Sequence, residues 1–250
     1  MQFQGRGRGN RMIDTVLFDF DGTIMDTNEI IIESWQTTFR KLRGKEADRD
    51  VLLKTFGEPL EATMLGFFPN VPLEESLEIY RDYQRKYFIP SIRLFPGVRE
   101  LLDALSQQKT KMALVTSRLK FTTDQALEHF DIGKYFQYVV TADDVNRHKP
   151  DPLCANLALE ALDAQSEQTI MLGDSPLDIM CARNAGVHPV LVSWSMTMAD
   201  RIKVLSDSML PGESFPVIAE KTSGIVLPGF APEETPDVVI DDPMQILELL

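Results

Sequence analysis

The stretch VLFDFDGT, residues 16–23, joins a short apolar run to a glycine turn and carries two nearby carboxylates, Asp19 and Asp21. Strand alternation would direct both side chains to the same side of the chain. Like charges at this spacing repel each other, and each loses solvation on burial. A cation between or beside them removes the conflict. The pattern therefore predicts a Mg²⁺ site in which one carboxylate is a nucleophile.

After this turn the hydrophobic pattern is first helical and then alternates between strands and helices. Apolar residues recur with helical spacing over residues 27–43, and no strand-like run interrupts the region before residue 94. The predicted helices of this region are 27–43, 48–56, 59–68 and 73–88. The strands predicted after it are 111–117, 138–141, 169–173, 189–194 and 238–241. The helices predicted between them are 120–131, 151–163 and 176–185, and a short helix ends the chain.

This order of elements predicts an α/β fold. Continuous apolar strands that alternate with amphipathic helices are typical of a parallel sheet covered on both faces. The helical block interrupts this pattern after the first strand. We therefore expect a doubly wound parallel-sheet core at 11–24 and 94–250, an inserted helical cap at 25–93, and a flexible tail at 1–10. The Pro- and Gly-rich segment 204–236 fits either a loop around the core or an oligomer contact.

Composition limits the class of protein. The chain has 250 residues, of which 44% are hydrophobic and 25% charged, as in ordinary globular proteins. No apolar run approaches the ~20 residues of a transmembrane helix, so we expect a cytoplasmic protein without a membrane partner. A net charge of −13 argues against binding to nucleic acid, and a small anionic substrate would need a bound cation nearby. Cys154 and Cys181 are predicted to be buried, unpaired thiols, and no Cys/His spacing suits zinc.

Polar side chains stand where the predicted strands end. Thr116 and Ser117 close the second strand, Lys149 follows the third, and Asp174 and Asp178 follow the fourth. Ligands of open α/β sheets bind beyond the carboxyl ends of the strands, so these groups should meet Asp19 and Asp21 at one edge. Taken singly, each has a structural alternative, since Asp174 could cap a helix and Lys149 could lie in solvent.

Four short motifs in this order resemble the haloacid dehalogenase-like (HAD) hydrolase superfamily. They are DFDGT at 19–23, Thr116 at the end of an apolar strand, Lys149 in HKPDP, and GDSPLD at 173–178. Within the superfamily, TVLFDFDGTIMDTNE and VVTADDVNRHKPDP look most like phosphoglycolate phosphatases and bacterial inorganic pyrophosphatases. The resemblance implies a Rossmann-like core with a helical cap, and a Mg²⁺-dependent phosphohydrolase that cleaves a small phosphorylated metabolite.

The resemblance also implies a role for each motif residue. Asp19 would attack phosphorus to form an aspartyl-phosphate, and Asp21 would act as general acid and then as general base. Asp19, the Asp21 backbone carbonyl and Asp174 would hold Mg²⁺. Asp178 would orient groups around the ion rather than bind it directly.

Three further residues would bind the substrate phosphate. Thr116, the Ser117 backbone N–H and Lys149 are expected to hold its non-bridging oxygens. A phosphomonoester of the phosphoglycolate type and pyrophosphate are both candidate substrates, and the protein is expected to be a monomer or a homodimer.

Two alternative functions stay open at this level. A β-phosphoglucomutase-like phosphoryl transferase resembles the sequence closely, but such enzymes place a His in the first cap helix where this chain has Ile31. A non-catalytic receiver-like module also accepts phosphate on an Asp beside Mg²⁺ in a doubly wound fold. The predicted helical cap and the second acid at Asp21 favour the hydrolase.

Overall fold

A six-stranded parallel sheet is the centre of the computed structural model, which describes residues 12–56, 58–195 and 232–250. The tail at 1–10, and residues 204–231 of the segment 204–236, lie outside the described residues. The strands are β1 (Thr15–Phe18), β2 (Met25–Asp26), β3 (Arg93–Leu94), β4 (Lys111–Val115), β5 (Tyr138–Val140), β6 (Thr169–Gly173), β7 (His188–Val192) and β8 (Val238–Ile240).

The main sheet has the strand order β5-β4-β1-β6-β7-β8, and every pairing in it is parallel. β1 lies in the middle, where Thr15 pairs with Lys111 of β4 on one side and with Thr169 of β6 on the other. All four residues of β1 are buried, as expected for a strand covered on both faces. The α/β class predicted from the sequence is therefore confirmed.

The helices cover both faces of this sheet and also form a separate group. They are α1 (Asn28–Arg43), α2 (Arg49–Leu53), α3 (Leu60–Phe67), α4 (Leu73–Ser91), α5 (Val98–Gln107), α6 (Lys120–His129), α7 (Leu153–Ala161) and α8 (Pro176–Asn184). Short 3₁₀ turns occur at Gly133–Tyr135, Ala142–Asp144, Ser166–Gln168, Pro232–Glu234 and Pro243–Glu248.

Alternate residues of β1, β4 and β6 enter different hydrophobic clusters. Val16 and Phe18 pack with α5 and α6 on one face, whereas Leu17 packs with α7 and α8 on the other. This division follows from the two-residue period of a strand. Cys154 and Cys181 belong to the second cluster, where both thiols are buried and free.

Helices α1–α4 form a hydrophobic cluster of their own, centred on Trp35, Phe39 and Tyr80. Two of their residues, Ile30 and Phe88, instead join the cluster that covers the main sheet. The helical segment therefore packs against the sheet domain through α1 and α4. No helix in the described part of the chain is long and apolar enough to span a membrane.

The prediction that no strand occurs between residues 25 and 93 is wrong. β2 and β3 form an antiparallel pair at the two ends of the helical segment, with Met25 opposite Leu94. The guanidinium of Arg93 donates to Asp26 Oδ2 at 2.9 and 3.0 Å across this pair. Two-residue strands have no detectable periodicity, so only tertiary pairing reveals them.

Several element bounds also differ from the prediction. β4 ends at Val115 rather than at Ser117, because the Thr116 hydroxyl accepts the Arg118 N–H and turns the chain away. α2 ends at Leu53. Beyond it, the N–H groups of Thr55 and Phe56 donate to carbonyls three residues earlier, as in a 3₁₀ turn, rather than four. α4 runs three residues beyond 88 and includes Pro90, which has no N–H to donate to the carbonyl four residues earlier, and the helix ends one residue later. The final element is a 3₁₀ helix at Pro243–Glu248.

Candidate active site

The predicted site residues lie at the carboxyl edge of the sheet, beside a cavity of about 1240 Å³. Asp19 directly follows β1 in the middle of the sheet, and Asp174 directly follows β6 next to it. The helical segment supplies the opposite wall through residues such as Ile31, Trp35 and Tyr80. Such a crevice is where parallel α/β sheets bind ligands.

Lys149 connects the acids of this edge. Its Nζ donates to Asp19 Oδ1 at 2.7 Å, to Asp178 Oδ1 at 2.6 Å and to the Val115 carbonyl at 2.8 Å. The residue is only 5% exposed, so all three ammonium protons are used inside the protein. The surface position considered for Lys149 is therefore wrong, because two buried carboxylates need its charge.

Burial and charge act in opposite directions in this cluster. Burial opposes the charged form of Lys149, but the carboxylates of Asp178 and Asp19 outweigh it and raise the lysine pKa well above its usual value. Burial also raises the pKa of Asp19, and the nearby acids Asp178 and Asp174 add to that rise while Lys149 opposes it. Burial and the neighbouring acids thus oppose the charged form of Asp19, and Lys149 is the cation that favours it.

Asp174 lies against the turn that contains Gly22. A Cβ atom at residue 22 would lie 2.1 Å from Asp174 Oδ2, and Gly22 has a φ of +76°. Only glycine combines that backbone conformation with such a close approach. Asp174 does not cap the following helix, because Ser175 is the N-cap of α8.

Asp178 has two structural partners besides its place in the cavity wall. Its Oδ2 accepts from the Ser175 hydroxyl at 2.6 Å and from the Ser175 N–H at 3.1 Å, which completes a capping box. Its Oδ1 is held by Lys149. A Cβ at residue 173 would lie 2.2 Å from Asp178 Cβ, so Gly173 lets the first turn of α8 pack on β6.

Asp21 pairs with Arg118. Arg118 Nε donates to Asp21 Oδ1 at 3.1 Å and Oδ2 at 3.0 Å, and Nη2 donates to Oδ1 at 2.7 Å. The two acids of the DFDGT turn therefore have separate cationic partners, Lys149 for Asp19 and Arg118 for Asp21. Each charge is compensated by a side chain from elsewhere in the chain.

Thr116 and Ser117 lie in the loop after β4. Thr116 is 3% exposed, and its hydroxyl oxygen accepts from the Arg118 N–H at 3.0 Å. Ser117 is exposed and lines the cavity. The loop is thus placed beside Lys149, whose Nζ bonds the carbonyl of the preceding residue, Val115.

The chain is similar to known proteins of one family. The family model described as haloacid dehalogenase-like hydrolase matches residues 16–192, which include every residue of the site. This chain belongs to that family. The hydrolase is 39% identical over 191 residues to "Putative pyrophosphatase PpaX" of Caldanaerobacter subterraneus, covering 76% of this chain and 86% of the relative.

Further similar proteins agree with this assignment. The hydrolase is 34% identical to "Pyrophosphatase PpaX" of Halalkalibacterium halodurans over 191 residues, covering 76% of this chain and 88% of the relative. Its fold matches the crystal structure of "a predicted phosphatase" from Clostridium acetobutylicum with a TM-score of 0.73 at 22% identity, covering 95% of this chain and 100% of the other.

The donor set of this hydrolase fits a divalent cation. Carboxylate oxygens of Asp19, Asp174 and Asp178 lie within 4.8 Å of one another. Oxygen ligands suit Mg²⁺, and a divalent cation would offset the repulsion among the three carboxyl groups. All three acids are candidate ligands, and both oxygens of Asp178 also accept hydrogen bonds, from Lys149 and from Ser175.

Sequence reasoning missed Arg118 as a residue of this site. The signal was present, since a cation directly follows Thr116 and Ser117 at a strand end. Because arginine in a loop is usually solvated, this signal does not by itself single out Arg118. In the structure the Arg118 side chain is only 9% exposed.

Proposed function

We propose that this hydrolase is a Mg²⁺-dependent phosphohydrolase that cleaves a small phosphorylated metabolite through an aspartyl-phosphate on Asp19. The candidate substrates are a phosphomonoester of the phosphoglycolate type and pyrophosphate. The observation that carries the proposal is the Asp19 carboxylate in a cavity wall, within 4.8 Å of Asp174 and bonded to Lys149. Relatives named pyrophosphatase support the substrate class.

Asp19 is suited to act as the nucleophile. Lys149 binds Oδ1, whereas Oδ2 has a weaker contact with the Thr23 hydroxyl at 3.3 Å. One oxygen is thus held while the other remains available to attack phosphorus. A carboxylate needs no base to activate it, and the resulting acyl-phosphate divides the reaction into two steps.

Asp21 serves as the general acid and base. It follows the nucleophile by two residues and lines the same cavity, and its side chain is 29% exposed. In the first step it would give a proton to the leaving oxygen, and in the second it would take one from the attacking water. A group that performs both tasks must be within reach of the substrate and of water, and Asp21 lines the cavity.

Three residues would bind the phosphoryl oxygens. The Thr116 hydroxyl oxygen accepts from Arg118, which leaves the hydroxyl hydrogen to donate to the substrate. The Ser117 backbone N–H would supply a further donor. The Lys149 ammonium would do so by giving up one of its present bonds, to Asp19, Asp178 or the Val115 carbonyl. Such donors stabilise the charge that develops during phosphoryl transfer.

The side chains of Asp19 and Asp174, together with the Asp21 carbonyl, would hold the ion. When bound, Mg²⁺ supplies positive charge that neutralises the phosphoryl oxygens and so permits an anionic nucleophile to approach. Asp178 would keep Lys149 and the first turn of α8 in place beside it.

The class of reaction is tested with p-nitrophenyl phosphate and Mg²⁺. Asp19→Asn should abolish turnover and formation of the aspartyl-phosphate, because an amide is not a nucleophile at neutral pH. Asp124→Asn, an equivalent change of an exposed acid on α6, should retain activity. Turnover by Asp19→Asn equal to that of the unmodified protein would exclude the proposed mechanism. Chelation with EDTA and titration with Mg²⁺ then test the metal requirement.

We further infer that the hydrolase acts in the cytoplasm, as a monomer or homodimer, and without a nucleic-acid or membrane partner. Its net charge of −13 supports the absence of nucleic-acid binding. Light scattering at two protein concentrations distinguishes the two oligomeric states.

A further inference from the structure

Arg118 lines the cavity and is bonded to Asp21, the proposed general acid. A general acid must come within hydrogen-bond reach of the leaving oxygen. Both Asp21 oxygens contact the Arg118 guanidinium, at distances between 2.7 and 3.1 Å. Atoms joined to the leaving oxygen are therefore next to this guanidinium whenever Asp21 performs its role.

The guanidinium is held in a fixed orientation. Its carbon atom lies 4.3 Å from the centre of the Phe88 ring, and Nη1 donates to Gln84 Oε1 at 3.3 Å and to Thr122 Oγ1 at 3.4 Å. Gln84 is fixed in turn, because its Nε2 donates to Ser34 Oγ at 3.1 Å. These contacts leave the edge formed by Nε and Nη2 directed at Asp21, so little side-chain entropy would be lost on binding an anion there.

The chemistry of that edge suits a carboxylate or a phosphate. A guanidinium presents parallel N–H donors that match two oxygens of either group. The other arginines of the cavity wall are engaged with glutamates, Arg81 with Glu61 and Arg85 with Glu78. Lys149 is bound to Asp19 on the side of the nucleophile.

We propose that Arg118 is a specificity-determining residue that binds an anionic group on the leaving side of the substrate in place of Asp21. The inference rests on the proposed function and narrows it to substrates whose leaving group carries a second negative charge. The exchange also releases the Asp21 carboxyl group to reach the leaving oxygen. Pyrophosphate and phosphoglycolate both meet this requirement, whereas an alkyl phosphate whose leaving group is uncharged does not.

The test compares phosphoglycolate with 2-hydroxyethyl phosphate, in which a neutral alcohol replaces the carboxylate and the leaving oxygen is again an alkoxide. We expect Arg118→Gln to lower kcat/KM for phosphoglycolate and pyrophosphate by about ten- to one-hundred-fold, the value of one charge-assisted hydrogen bond. The loss of kcat/KM for 2-hydroxyethyl phosphate should be several-fold smaller, since its leaving group has no anion for Arg118 to bind and only the charge partner of Asp21 is removed. Arg118→Lys should recover part of the preference for phosphoglycolate over 2-hydroxyethyl phosphate, because lysine keeps the positive charge.

Arg40→Gln is the matched control, because Arg40 forms exposed ion pairs on α1 outside the cavity. Equal losses of kcat/KM for phosphoglycolate and 2-hydroxyethyl phosphate would show that Arg118 acts only through Asp21, and the proposal would be wrong. The same conclusion follows if the unmodified protein shows no preference for the anionic substrates. If Arg118→Gln does not fold, the selective loss must appear in Arg118→Lys. Retention of all three activities by Asp19→Asn would instead refute the proposed function itself.

Discussion

Replacement of Lys149 by methionine is the sharpest test of the electrostatics of this site. Methionine keeps most of the side-chain volume but removes an ammonium that bonds Asp19 at 2.7 Å and Asp178 at 2.6 Å. Breaking a buried ion pair from one side costs about 3–5 kcal/mol of unfolding free energy. We expect the free energy of unfolding to fall by an amount in this range near neutral pH, because the two buried carboxyl groups then lose the lysine ammonium that they share.

The loss should depend on pH in a definite direction. Burial raises the Asp19 pKa, and Lys149 is the group that opposes this rise. Without the lysine the folded state binds protons more readily still than the unfolded state, so stability falls as pH rises above the ordinary carboxyl value of 3.8. The deficit of Lys149→Met should therefore narrow towards pH 4 and widen towards pH 7, and Mg²⁺ should reduce it.

Urea unfolding followed by circular dichroism at several pH values measures this deficit. Lys86→Met is the control, because Lys86 forms an exposed ion pair with Asp82 and its loss should not shift the transition measurably. A double variant, Lys149→Met with Asp178→Asn, should recover part of the loss. A deficit below about 1 kcal/mol at pH 7, or one that does not vary with pH, would refute this account of the buried charges.

Three further predictions concern the structure around the site. Gly173→Ala should destabilise the protein by about 1–3 kcal/mol and reduce turnover, because the new methyl group would overlap Asp178; unchanged thermal unfolding would contradict this close packing. Ser175→Ala should cost about 1 kcal/mol in urea unfolding through loss of the N-cap of α8, and Ser175→Thr should restore most of it. The hydrogen bond from Cys181 lowers the pKa of Cys154 to about 7, yet burial should prevent both thiols from reacting with Ellman's reagent until urea is added; rapid labelling of the folded protein would show that the pair is accessible.

The sequence predicted the structure correctly where the pattern of neighbouring residues determines it. β1 is a continuous apolar run, and its burial on both faces follows from that pattern. The positions of the four motifs at strand ends also predicted that Asp19 and Asp174 lie at one edge of the sheet, because parallel strands end at a common edge. The structure adds that their strands, β1 and β6, are neighbours. By contrast, β2 and β3 are too short for any period, and the 3₁₀ form of Pro243–Glu248 is not distinguishable from a short α-helix in sequence.

What the amino-acid order determined by itself was the sheet, the succession of its strands and the set of acids and hydroxyls at their ends. Only the tertiary structure decided how the charges are shared: Lys149 between Asp19 and Asp178, and Arg118 with Asp21. The reason is that hydrophobic periodicity is a property of neighbouring residues. Ion pairing instead depends on distances between residues far apart in the chain, and those distances exist only after the chain has folded.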